Sequence, residues 1–166
     1  LNFAVTVPWM REGTDLFRTR LAALDDEHFA AASNLTDWTN AHVAAHVAQN
    51  AEALGRLVHW ARTGEETPMY PSRESRNENI EQGSKLSPAE LRLEVERTGV
   101  ALDEALEGPD IDWSATLAGA TGRMLPASEI PWLRVREVWL HALDLRPGAS
   151  PGDINESVAE ALVDEV

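Results

Sequence analysis

Apolar residues recur at helical spacing in four stretches of the chain. The first runs from about Pro8 to Leu24, with Phe17, Leu21 and Leu24 on one stripe. The second follows Asp37-Trp38-Thr39, where Asp37 or Thr39 can cap the free amides. It continues through Val43, Val47, Leu54, Leu57, Val58 and Ala61 to a stop at Gly64. The third opens on Ser87-Pro88-Ala89-Glu90, which combines an N-cap serine, proline at the first helical position and a capping-box glutamate. Its apolar face is Leu91, Val95, Leu102 and Leu106, and Gly108-Pro109 ends it. The fourth begins near Pro126-Ala127-Ser128 and runs through Ile130, Leu133, Leu140 and Leu143 to Arg146-Pro147-Gly148. Four amphipathic helices with few strand signals predict an all-α four-helix bundle.

Two connections are long. Residues 67–85 are polar, rich in turn residues and read as a functional or disordered loop. Residues 111–125 contain Trp113-Ser114-Ala115-Thr116-Leu117 followed by Ala118-Gly119-Ala120-Thr121-Gly122, a pattern that could make a short hairpin. After Pro151-Gly152-Asp153 a further helix is expected, with Val158, Leu162 and Val166 in register. The expected organisation is a bundle over 1–148 and, over 149–166, the start of a C-terminal segment or domain that the sequence does not contain.

Charge narrows the function. Fourteen Lys+Arg against 28 Asp+Glu give a net charge of −14, which repels nucleic-acid phosphates and acidic membranes. No stretch approaches about 18 consecutive apolar residues, so no membrane span is expected. The first residues, Leu1 to Pro8, have no basic start or cleavage pattern, so no signal peptide is expected. The absence of cysteine fits a reducing cytoplasm and removes any thiolate ligand. Chemistry that needs sulfur would have to receive it from a cofactor.

The candidate chemistry lies on the second and fourth helices. Glu137 and His141 are one turn apart, on the side of Ile130, Leu133 and Leu140, the stripe expected to face the core. His46 sits in the same way between Val43 and Val47. A carboxylate and imidazoles on core stripes are costly unless paired or metal-bound. Two side chains at i,i+4 plus one from a facing helix make the three-ligand set of catalytic zinc, although iron, nickel or cobalt would accept the same donors. The spacing alone also fits ordinary core histidines or a surface Glu–His pair. His42, in the first turn of its helix, reads as a surface or capping residue; His28 and His59 read as structural. Asp144 could orient His141 or simply be solvated. Trp38, Trp132 and Trp139 are expected to fill the core.

Beyond these patterns, Asp37-Trp38-Thr39-x-x-His42-Val43-x-x-His46-Val47 and the run from Trp132 to Leu145 (WLRVREVWLHALDL) resemble the DinB-like metalloenzyme superfamily, and more narrowly the mycothiol-dependent maleylpyruvate isomerases. Thr67-Pro68-Met69-Tyr70-Pro71-Ser72-Arg73-Glu74-x-Arg76 and Gly122-Arg123-x-x-Pro126-Ala127-x-x-Ile130-Pro131-Trp132 are similar to that family's connecting segments. The resemblance covers roughly residues 16–145. It implies an up-down-down-up bundle with zinc on His46, Glu137 and His141, a C-terminal α/β domain, and mycothiol as the thiol cofactor. The implied reaction is cis-to-trans isomerisation of maleylpyruvate to fumarylpyruvate in gentisate breakdown, by thiolate addition, bond rotation and elimination.

Such a dicarboxylate substrate needs cationic anchors. Arg73 and Arg76 in the long loop and Arg134 beside the ligand stripe are candidates, arginine being suited to bidentate carboxylate recognition. The loop arginines could equally balance Glu74, Glu78 and Glu81. Tyr70 could donate to an enolate oxygen or pack the loop onto the bundle. Rival readings are a thiol S-transferase on another electrophile, a metal-dependent hydrolase, and a non-catalytic metal-sensing module.

Overall fold

The structure is a computed structural model that describes residues 2–165. Its helices are α1 (Phe3–Ala23), α2 (Asn40–Thr63), α3 (Arg73–Gly83), α4 (Pro88–Glu107), α5 (Ile130–Asp144) and α6 (Glu156–Asp164). A two-stranded hairpin, β1 (Thr116–Ala118) and β2 (Met124–Pro126), precedes α5. Val166, expected in register with Val158 and Leu162, lies outside the described residues.

The expected caps form. The Thr39 hydroxyl accepts the His42 amide while the His42 side chain accepts the Thr39 amide, and Gly64 closes α2 in the left-handed region at φ 73°. Ser87 and Glu90 make the reciprocal pair at α4, with Pro88 in its first turn. Helix α1 starts five residues earlier than Pro8. Asn2 caps it by accepting the Ala4 amide, and Phe3 packs on Trp113 with ring centroids 4.4 Å apart.

Helix directions follow from cross-helix contacts. Arg11 bonds Asp103 and Glu107, and Arg92 reaches back to the Leu21 carbonyl, so α1 and α4 are antiparallel. Arg97 meets Glu52 and Arg62 meets the Ala105 carbonyl, so α2 and α4 are parallel. Asn40 bonds the Arg146 carbonyl and Arg134 bonds the Val47 carbonyl, so α2 and α5 are antiparallel. Together these give the up-down-down-up order over α1, α2, α4 and α5. Around the bundle the packing runs α1–α5–α2–α4.

Parallel α2 and α4 impose the long connection. Helix α2 is about 36 Å long at about 1.5 Å per residue, and the chain must travel that length back before α4 can start. The expectation of a loop over 67–85 is corrected here: residues 73–83 form α3, capped by Ser72, with Ile80 alone buried. The hairpin exists, but its strands fall later than expected. Leu117 pairs with Leu125, and the turn spans Gly119 to Arg123 with Gly122 at φ 79°. Helix α6 caps the bundle through buried Val158.

Helix α5 carries two kinds of contact. Towards α1, Trp139 and Val138 press on Gly13, where a Cβ would stand 2.5 Å from the Trp139 indole nitrogen. Trp132 and Trp139 are core residues as expected, whereas Trp38 is half-buried. Leu140, expected on the core stripe, is 43% exposed. It lies on the outer side of α5, about 100° from His141, which itself sits at the edge of the buried face.

Candidate metal centre

Towards α2, α5 presents polar groups. His46 Nε2–H donates to Glu137 Oε2 at 2.8 Å, and His141 Nε2 lies 3.2 Å from the same oxygen. One donor atom from each of His46, Glu137 and His141 falls within 4.8 Å of the others. The two imidazoles meet edge to face with centroids 4.8 Å apart. His46 is buried, whereas the Glu137 side chain remains 29% exposed, so the cluster sits at the rim of the core.

Three donors tetrahedrally placed about 2.0–2.2 Å from one ion would be about 3.3–3.6 Å apart. The His141–Glu137 separation nearly meets that span, His46 need withdraw by some tenths of an ångström from Glu137, and no two donors are more than 4.8 Å apart. The nitrogen and oxygen donors therefore fit a divalent cation such as zinc.

The protonation pattern follows from the neighbours. Burial lowers the pKa of His46, outweighing the Glu137 carboxylate. Burial would raise Glu137, but the two imidazoles prevail and hold it well below the usual carboxylate range. Burial works against His141 too, yet Asp144 and Glu137 raise it to about 9. Asp144 Oδ2 accepts from His141 Nδ1 at 2.8 Å, which aims Nε2 at the cluster, so Asp144 is not merely solvated.

The crossover lies against this centre. Arg76 Nη2 donates to His46 Nδ1 at 3.3 Å, and its guanidinium stands 5.8 Å from the centre of the Tyr70 ring. Burial raises the Tyr70 pKa, against the opposing charge of Arg76. Trp38 packs edge-on to His46 at 5.4 Å. Arg73 is exposed. His42 is spent on its cap and on Glu81 of α3, 3.1 Å away. His59 is exposed, and His28 is half-buried near Asp25.

Arg134, expected as a possible substrate anchor, turns into the bundle. It is 1% exposed, and its Nη1 donates to the Val47 carbonyl at 2.7 Å and to Asn50 Oδ1 at 2.9 Å. Burial lowers its pKa to about 10. Position 134 lies about 60° from Glu137 around the helix, enough to turn the guanidinium inward between α2 and α5.

The profile of the mycothiol maleylpyruvate isomerase N-terminal domain matches residues 10–146. The chain belongs to this family. A crystal structure of the mycothiol-dependent maleylpyruvate isomerase superposes with a TM-score of 0.95 at 45% identity, covering 99% of this chain and 69% of that one. A structure of a histidine-to-alanine mutant of that isomerase gives 0.94 and 44% over the same shares. Comparison with curated protein sequences finds no significant match.

Within the isomerase domain, the centre opens onto a cleft of about 380 Å³ that has Glu137 in its wall. Asn50, Met69, Leu133, Leu125 and the hairpin residues Gly119 to Thr121 form its sides, and Arg123 and Arg136 complete its lining. Arg123 and Arg136 were not singled out from the sequence. Arg136 directly precedes the candidate ligand Glu137, but nothing in the spacing distinguishes it from a solvated arginine, and Arg123 depends on how the hairpin folds back.

Proposed function

We propose that this chain is the metal- and thiol-binding domain of a cis–trans isomerase that converts maleylpyruvate to fumarylpyruvate in gentisate catabolism, in the cytoplasm, with zinc and mycothiol as cofactors. The observation that carries the reading is the convergence of His46, Glu137 and His141 from two antiparallel helices, in a chain of the isomerase family. Zinc held there through three protein donors would keep one position open and stabilise a bound thiol as its thiolate. A thiolate supplies the isomerisation chemistry: by adding to the activated alkene and leaving after rotation, it makes the double bond single for a moment.

The chain's own residues set the stage for this chemistry. Asp144 holds the His141 ring so that Nε2 faces the centre. Arg76 now donates to His46 Nδ1. An imidazole that binds a cation through Nε2 carries its proton on Nδ1 and can no longer accept that bond, which frees the guanidinium to turn to a substrate carboxylate. Tyr70, whose pKa burial raises, would donate its hydroxyl hydrogen to developing enolate oxygen. Trp38 packs edge-on against the His46 ring and fixes its position.

The deciding experiment measures bound zinc and thiol-dependent maleylpyruvate isomerisation for the native chain, His46→Ala and His141→Ala. Near-stoichiometric zinc in the first and a large loss of metal and turnover in both variants are expected. Unchanged zinc in either variant would remove that residue from the ligand set, and turnover without added thiol would overturn the thiol mechanism.

A further inference from the structure

Arg134 is buried in the bundle and Arg76 does not line the cleft, which leaves open what a dianionic substrate meets inside it. The cleft gives an answer in its charges. The chain as a whole carries −14, and its surface should repel a dicarboxylate. The lining of the cleft reverses that sign: its charged residues are Arg123, Arg136 and Glu137, and Glu137 is committed to the metal centre. The rest of the wall is apolar or neutral.

We infer that Arg123 on the hairpin and Arg136 on α5 form a two-point carboxylate clamp across this cleft, selecting dicarboxylate substrates over neutral electrophiles. The inference rests on the isomerase reading of the centre and names its specificity residues.

The two arginines stand on different supports. Arg136 directly precedes the ligand Glu137 on a bundle helix, so its position is tied to the metal. Arg123 lies in the hairpin turn, where its carbonyl accepts the Gly119 amide and its backbone is held by that bond. Each already holds one carboxylate, Arg136 with Glu165 at 3.2 Å and Arg123 with Glu129 at 3.0 Å. A guanidinium has five N–H donors, so each arginine retains donors for a second carboxylate. Both pairs are solvent-exposed and exchangeable, so substrate does not compete with a buried ion pair. The cleft volume suits a small diacid better than a macromolecular segment.

Maleate, a cis dicarboxylate lacking the pyruvyl group, is the probe. Its binding to the zinc-loaded chain is followed by calorimetry, beside its neutral diester, dimethyl maleate. Native protein should prefer maleate. Arg136→Gln should weaken maleate at least tenfold, Arg123→Gln several-fold, and the double variant should lose the preference over the diester, all with zinc content intact. Arg136→Lys should recover part of the affinity, because charge remains while the planar fork is lost. Glu165→Gln should hold or strengthen maleate binding by freeing Arg136. Undiminished maleate affinity in the double variant, or no preference for maleate over the diester in the native chain, overturns the clamp. Maleate binding that follows this pattern in a protein without isomerase turnover supports the clamp and sinks only the isomerase reading.

Discussion

The two faces of α5 make a natural experiment. Towards α1 it presents Val135, Val138 and Trp139, packed so closely that Gly13 leaves no space for a methyl group. Towards α2, within the same four turns, it presents Arg134, Glu137 and His141 against His46 and Asn50. The first face removes apolar surface from water, which stabilises a fold directly. The second buries charge, which seldom adds net stability, and leaves Arg134 Nε and Nη2 without a partner. One face of the helix holds the bundle together, and the other spends some of that stability on a centre that can bind a cation.

That contrast can be broken at its apolar end first. Trp139→Ala removes a fully buried indole and its bond to the Trp9 carbonyl. It should cost about 3–5 kcal/mol in denaturant unfolding, with zinc per folded chain unchanged. A loss of metal at constant fold would show that the two faces are coupled.

At the polar end, Asp144→Asn keeps the shape but weakens the hold on His141. Zinc affinity should fall about 10–100-fold in competition with a chelator, with little change in melting temperature. Proton competition should come next in size. His141, raised to about 9, carries a proton at neutral pH, and that proton must leave before Nε2 can bind a cation. Zinc affinity should therefore fall by about tenfold for each pH unit below about 9, and calorimetry in two buffers should detect proton release. A flat profile from pH 6.5 to 8.5 would refute this protonation state. The smallest effect sharpens the comparison most. Replacing His46, Glu137 and His141 together by leucine should abolish zinc binding while the metal-free protein loses no stability in thermal unfolding.

The bundle was legible because its signals were redundant. Ser87 and Glu90, Thr39 and Gly64 each mark a helix end by local chemistry that packing does not override. The candidate metal cluster was legible for the opposite reason, since His46, Glu137 and His141 stand out as polar groups on stripes otherwise apolar. Helix α3 carried neither signal: with only Ile80 buried, its sequence resembles a solvated loop, and it forms because the crossover must lie against α2. The burial of Arg134 was not legible, because position along a helix does not say whether a long side chain turns inward. Arg123 and Arg136 could not be paired from sequence, because the hairpin fold brings them to one cleft.

The crossover has a consequence for how such a domain can change. The candidate metal donors sit on bundle helices whose spacing is set by interior packing. Tyr70 and Arg76 ride instead on a strap whose length answers to topology, and Arg123 rides on a hairpin tip. Loops of this kind accept insertion and substitution far more readily than packed helices. Descendants of this scaffold could therefore acquire a new electrophile by rewriting the strap and the tip, while the inorganic chemistry beneath stays as it was.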